Sequence, residues 1–239
     1  MRETHLPRHA STVILIRPEA RGKFEVFMTR RPTEMEFMGG CYVFPGGSIR
    51  REDWSEGMLR RCHGLSRAEA QRILGNQLSP ELSLGHWVAG IRELFEEAGI
   101  LLCVTQNGGH LNLTKEELNK RLAEKREAVV QGSLEFRALL ESEGLYCDVG
   151  RLAYFSHRVT PEKRPIRFDT RFYLSRLPSD QNPLSCSQEV AESLWMTPNQ
   201  ALERAQTDSF PVMIPTLAAL RTLAAFDSWQ RLCAQYPLP

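Results

Sequence analysis

Three carboxylates, Glu93, Glu96 and Glu97, stand at i, i+3 and i+4 inside the stretch Gly85-His86-Trp87-Val88-Ala89-Gly90-Ile91-Arg92-Glu93-Leu94-Phe95-Glu96-Glu97-Ala98-Gly99-Ile100. On a helix these three are close neighbours and repel one another. Arg92 can pair with Glu96 four residues on, which leaves most of the negative charge uncompensated. A hard divalent cation, Mg²⁺ or Mn²⁺, prefers carboxylate oxygen and would compensate it. The helix itself is written in the same residues. At about 100° per residue, Val88, Ile91, Leu94, Phe95 and Ala98 share one side and the glutamates point roughly the opposite way. Gly99 follows the last periodic residue, where a helix stops readily. An acidic triplet alone is usually a solvated face, so the surrounding pattern has to carry the argument.

That pattern is Arg92-Glu93-Leu94-x-Glu96-Glu97-x-Gly99-Ile100, with Phe44-Pro45-Gly46-Gly47 upstream. It resembles the Nudix box: a Gly, five residues, a Glu, seven residues, then Arg-Glu-aliphatic-x-Glu-Glu-x-Gly-aliphatic. Gly46 and Glu52 satisfy the first half at that spacing, and Arg92 to Ile100 satisfy the second. Between them lie 39 residues where the family has seven, an insert of about thirty. The resemblance implies an α/β fold, a Nudix-type α/β/α sandwich with a mixed β-sheet, here carrying two helical insertions. It also implies roles. Glu93 and Glu97 are expected as metal ligands, Glu96 as a ligand or the group that positions a metal-bound water, and Arg92 as the residue that orients them. Glu52 is expected near the metals. The general base can lie outside the box, and Glu189 is the first candidate, with Glu192 beside it.

The elements that must position these groups read as follows. Ser11 to Ile16 is a short apolar and β-branched run, expected as a strand buried on both faces. A turn at Arg17 to Gly22 precedes a returning strand, Lys23 to Thr29. Arg30 then opens a segment that resembles the one preceding the box in coenzyme A diphosphatases, although Glu36 stands where that motif has a second Arg. Phe37-Met38-Gly39 and Tyr42 to Gly47 are closer to the acyl-CoA diphosphatase branch, and Gly46 and Gly47 permit close backbone approach to a ligand or metal. The insert, Asp53 to Leu84, contains the capping box Ser66-Arg67-Ala68-Glu69 and a helix with Ala70, Ile73 and Leu74 inward. Ser79-Pro80-Glu81 starts another turn of helix. The insert is expected as a lid over the acyl end of a substrate or as surface elaboration.

After a turn at Gln106 to Gly109, Thr114-Lys115-Glu116-Glu117 is a second capping box, for a helix to about Gln131. Leu134 to Glu143 makes another, closed by Gly144. These form the second insertion, about 112–146, which could serve as a homodimer surface or a second cover. Gly150 to His157 and Ile166 to Leu177 return to strands, the latter alternating as a half-buried strand. Arg164-x-x-Arg167-Phe168-Asp169-Thr170-Arg171-Phe172 again resembles the acyl-CoA branch. Arginine binds phosphate through bidentate bonds, so Arg30, Arg167 and Arg171, with Gly46 and Gly47, are the expected substrate contacts. A pairing of one arginine with Asp169 is the competing role. Thr197-Pro198 caps a helix, and Pro215 to Gln235 is expected as one long closing helix. No linker or repeat suggests a second domain, so 1–239 reads as one.

Composition bounds the function. With 30 basic and 29 acidic residues, the chain has no electrostatic footprint for nucleic acid or an anionic membrane. No apolar run reaches the length of about 20 residues that spans a bilayer. The six cysteines are scattered without a Cys-x-x-Cys pair, which fits thiols in a reducing cytoplasm. The expected activity is Mg²⁺- or Mn²⁺-dependent hydrolysis of a nucleotide diphosphate. Coenzyme A or acyl-CoA is favoured, giving a 4′-phosphopantetheine derivative and adenosine 3′,5′-bisphosphate. ADP-ribose, NADH and nucleoside triphosphates are the alternatives in the same class. A non-catalytic nucleotide-binding module is the alternative of another class, and the full carboxylate set argues against it.

Overall fold

The computed structural model describes residues 6–111, 113 and 116–239. In its first half the strands are β1 (Arg8–Pro18), β2 (Phe24–Arg30), β3 (Tyr42–Val43), β4 (Gly46–Ser48), β5 (Cys62–His63) and β6 (Cys103–Thr105), and the helices are α1 (Glu56–Leu59), α2 (Arg67–Leu74) and α3 (Pro80–Ala98). The second half adds α4 (Glu116–Val130), α5 (Phe136–Ser142), β7 (Leu145–Asp148), β8 (Ala153–Val159), β9 (Phe168–Arg176), β10 (Glu192–Met196), α6 (Pro198–Arg204), α7 (Ile214–Ala224) and α8 (Trp229–Gln235).

Among the described residues the main sheet runs β10-β2-β1-β9-β8, with β3 on β2 and β4 on β1. β1 and β9 are parallel and their neighbours antiparallel, so the sheet is mixed. Side chains alternate across it. Val13 and Leu15 enter one core with Val88, Ile91 and Leu94 of α3. Ile14 and Ile16 enter a second core with Ala219, Leu220 and Leu223 of α7 and Leu232 of α8. Helices on both faces make the expected α/β/α sandwich.

Covering both faces alters β9. Its alternation reads as half-buried, yet Arg171, Phe172, Tyr173, Leu174 and Ser175 are all buried. The closing helix is also not continuous. α7 ends at Ala224, and Ser228 caps α8 by accepting from the Arg231 amide. That break lets Phe226 and Tyr236 return to the second core.

The insert departs from expectation at its end. Ser79-Pro80 does not begin a separate turn. Ser79 Oγ accepts from the Leu82 amide at 3.1 Å and caps α3 itself, with Pro80 as its first residue. α2 has the expected capping box, Ser66 with Glu69, and stops at Gly75. Ala70 is buried, but Ile73 is 45% exposed. Met58, Leu59 and Ala70 lie in the same core as Leu84 and Trp87, so the insert's inward face is a packed layer against α3. The second insertion behaves similarly: Leu122, Val129, Phe136, Leu139 and Leu140 join that core, and Phe136 meets Phe95 with ring centroids 6.1 Å apart. Thr114 and Lys115 of the second capping box lie outside the described residues. β5, β7 and β6 form a small sheet that ties the insert to the chain after α3.

One buried group ties α3 to β1. Ser11 Oγ and His86 Nδ1 are hydrogen bonded at 3.1 Å. Burial is the main cause that holds the His86 imidazole neutral, with its pKa pushed down to about 3. An unfolded histidine titrates near 6.5, so below that pH the unfolded chain takes up a proton that the folded chain refuses. Stability attached to His86 is therefore complete above about pH 6.5 and falls by up to about 1.4 kcal/mol per pH unit down to about 3. Denaturant titrations at about pH 7 and about pH 5 should show His86→Asn losing about 2 kcal/mol less across that interval than the parent chain. Equal losses would remove His86 as the acid-sensitive group.

Candidate active site on the buried face of α3

α3 is buried from Ser83 to Ala98, including every charged side chain between them. The helical wheel separates the glutamates from the apolar side correctly, but their side of the helix does not face solvent. Glu93 is 6% exposed, and Glu96 and Glu97 are 4% exposed each. What covers them is the segment from β4 into the insert.

Arg92 organises the cluster. Its Nε and Nη2 donate to the two carboxylate oxygens of Asp53, each at 2.8 Å, and Nη2 also donates to the Ser48 carbonyl at 3.0 Å. Nη1 donates to Glu93 at 2.7 Å and reaches both Glu96 oxygens at 3.2 and 3.3 Å. Arg50 then closes over Glu96, Nη1 to Oε1 at 2.9 Å and Nη2 to Oε2 at 3.0 Å. Burial alone would weaken the Arg92 charge, but Asp53, Glu93 and Glu96 together push its pKa well above the ordinary value.

The glycines of β4 make room for this. A Cβ on Gly47 would lie 2.6 to 2.8 Å from the Glu93 carboxylate, and a Cβ on Gly46 would strike the β1 backbone at Ser11 and Thr12. The Gly46 backbone lies near enough to Glu97 to oppose the rise in its pKa. At Gly47 the group that approaches the backbone is the Glu93 carboxylate of α3.

Four carboxyl groups, Asp53, Glu93, Glu96 and Glu97, share this space with two guanidiniums, Arg50 and Arg92. Burial, then Glu93, then Glu189 push the Glu97 pKa well above the carboxylate range, with Arg31 opposing. Burial is also the main cause of the rise at Glu93. Hard oxygen donors that outnumber the guanidiniums two to one match a divalent cation in kind. As placed, no three ligating side chains among the described residues converge on one point. Both oxygens of Glu96 are held by arginines.

The other expected residues divide. Glu189 is brought to the site, since its charge acts on Glu97. Glu192 lies on β10 and accepts from the Tyr42 hydroxyl at 2.9 Å. Arg30 donates to the Gly40 carbonyl at 3.3 Å, and Arg31 to the Phe37 carbonyl at 3.3 Å, so the pair pins the loop between β2 and β3. Arg167 donates to the Thr160 carbonyl at 3.2 Å in the β8–β9 connection. Arg171 is buried and paired with Asp169, which also holds His157, so the ion pair weighed against phosphate binding is formed.

Glu52 is the correction. It is exposed, its carbonyl accepts from Ser55 Oγ, and the acid that meets the cluster is Asp53. The five-residue spacing counted from Gly47 lands on Asp53, so the sequence reading is one residue out of register. Arg50 was not anticipated, because a basic residue in a turn carries no signal of its partner.

A family model described as the NUDT19 Nudix domain matches residues 65–223. The chain belongs to that Nudix family. It is 31% identical over 237 residues to the acyl-coenzyme A diphosphatase NUDT19 of Gallus gallus, covering 86% of this chain and 62% of that one. It is 28% identical to the Homo sapiens protein of the same name over 242 residues, covering 88% and 63%. The chain thus spans 60 to 64% of the length of the curated relatives it matches. A crystal structure of a NUDIX hydrolase from Alicyclobacillus acidocaldarius superposes with a TM-score of 0.76 at 27% identity, covering 96% of each chain. The acid that grips Arg92, Asp53, lies 39 residues before it in the chain.

The two acids can be told apart experimentally. Asp53→Asn leaves buried Arg92 without its bidentate partner and should destabilise the fold by about 3 kcal/mol in denaturant titrations. Glu52→Gln should stay within about 0.5 kcal/mol of the parent. The reverse order would restore Glu52 to the cluster.

Proposed function

We propose that this Nudix chain is a divalent-cation-dependent diphosphatase acting on a nucleoside diphosphate-linked small molecule, with coenzyme A or an acyl-CoA as the favoured substrate. The observation that carries the reading is the buried cluster on α3, four carboxyl groups against two guanidiniums beneath Gly46-Gly47. A non-catalytic binding module has no use for so costly an accumulation of buried charge. The names of the relatives from Gallus gallus and Homo sapiens support the acyl-CoA preference within it. A reducing cytoplasm suits the six cysteines, all unpaired.

Glu93, Glu97 and Glu96 would hold Mg²⁺ or Mn²⁺, which when bound makes a water nucleophilic near neutral pH and relieves charge on the leaving phosphate. The chain supplies the rest. Arg92 fixes the rotamers of Glu93 and Glu96 through its bonds to both. Glu189, on the loop whose charge reaches Glu97, accepts the proton of the attacking water. Water oxygen forms a bond to one phosphorus, the bridging P–O bond breaks, and the pair of electrons leaves with the second phosphate. From acyl-CoA this yields acyl-4′-phosphopantetheine and adenosine 3′,5′-bisphosphate.

Coenzyme A, acyl-CoAs, ADP-ribose, NADH and nucleoside triphosphates assayed side by side with Mg²⁺ and with Mn²⁺ test the reading. CoA or an acyl-CoA should give the highest kcat/KM, and chelation should abolish turnover. Glu97→Gln should lower kcat by about a hundredfold or more, beyond the 10–100-fold typical of groups that only support a ligand, with circular dichroism unchanged. Turnover that survives both chelation and Glu97→Gln would end the metal-dependent proposal, and preference for ADP-ribose or NADH would end the CoA assignment.

A further inference from the structure

The geometry points to Arg50 as a displaceable counter-ion. Its guanidinium fills a cation position on Glu96 until a divalent cation replaces it, and then turns to the diphosphate of the substrate. This rests on the metal-dependent reading above and adds a residue and a sequence of events to it.

Arg50 and Arg92 both hold Glu96, yet they are not equivalent. Arg92 is 2% exposed and bound to Asp53, Ser48 and Glu93 as well. Leaving would strand a charge in the interior, so it stays. The Arg50 side chain is 47% exposed, and the hydrogen bonds its guanidinium makes among the described residues both go to Glu96. Its backbone is fixed separately, through the Arg50 amide to Asp53 Oδ2 at 2.8 Å. The side chain can therefore turn without moving the chain that carries it.

Both Glu96 oxygens already accept from guanidiniums, so a cation binding there would need one of them to give way. A divalent cation and a guanidinium on one carboxylate also repel each other. The less anchored cation is the one that yields. Once released, the half-exposed Arg50 guanidinium is beside the carboxylates and free to meet a substrate that carries two linked phosphates. Its planar fork fits phosphate as it fits the carboxylate it left.

The test uses the full chain and two probes, Mn²⁺ alone and methylenediphosphonate, a diphosphate analogue that cannot be hydrolysed. Calorimetric titration with Mn²⁺ should find Arg50→Met binding the ion at least about fivefold more tightly than the parent. The reason is that no half-exposed charged pair has to be broken first. On the Mn²⁺-loaded proteins, methylenediphosphonate should bind Arg50→Met at least about fivefold more weakly, the guanidinium being lost as a phosphate partner. Arg50→Lys keeps the charge but cannot bridge both oxygens, so it should fall between the two. It carries the same test if the Met variant does not fold. Equal or weaker Mn²⁺ affinity in Arg50→Met, or undiminished diphosphonate binding, overturns the assignment while leaving the diphosphatase reading intact. Failure of both parent and variant to bind Mn²⁺ overturns the metal-dependent reading itself.

Discussion

Burial of the Arg92 guanidinium is the constraint on which the rest of this structure depends. Removing a charge from water costs several kcal/mol, and the interior returns that only where geometry and hydrogen bonding are both complete. Arg92 meets the condition with Asp53 on one edge, Glu93 and Glu96 on the other, and the Ser48 carbonyl between. Each partner comes from a different local structure: the strand β4, the turn after it, and α3 itself. The three are thereby held in one arrangement, and Gly47 is small because the Glu93 carboxylate occupies the place of its side chain. The same burial raises Glu93 and Glu97 in pKa, so a bound cation would take the place of protons there. What stabilises the fold around Arg92 therefore also prepares the site for cations.

Legibility in the sequence followed how local the determining interactions are. The second half of the box, Arg92 to Ile100, fixes a helix, its stop and the three carboxylates, all within three turns, and it could be read directly. The first half could be read only to one residue, because Gly46-Gly47 offers two starting points and Glu52-Asp53 offers two acids. The choice between them is made by Arg92, 39 residues further on, which no local pattern reveals. The β5-β7-β6 sheet is less legible still. It pairs Cys62 with Cys147 and Cys147 with Cys103, from three separate segments. Cysteines that look scattered along the chain are neighbours across strands, where each alone is a small apolar core residue.

Periodicity gave element types well and environments less well. The β9 alternation correctly separates Phe172 and Leu174 from Arg171 and Tyr173, since these fall in different layers. It cannot say that the polar side is covered as well, because that depends on α3 lying over it. Ile73 shows the opposite error. It sits on the apolar side of α2, but the core that receives Ala70 ends before reaching it, and the side chain stays in water. A hydrophobic stripe states which side a helix prefers to bury, and the neighbouring surface decides how wide the buried strip becomes.

The insert is best understood through its two ends. It leaves the box at Asp53, which is locked to Arg92, and Trp54 beside it lies where a Cβ on Gly85 would be, only 2.6 Å from that position. It returns through Ser79, whose hydroxyl caps α3. Both ends are therefore attached to the helix that carries the glutamates. Between them, Met58, Leu59 and Ala70 pack into the core that holds Leu84 and Trp87. The insert therefore acts first as an extension of α3: it supplies the layer that buries the helix's early turns, and so allows a helix beginning at Pro80 to place Glu93, Glu96 and Glu97 on a rigid support.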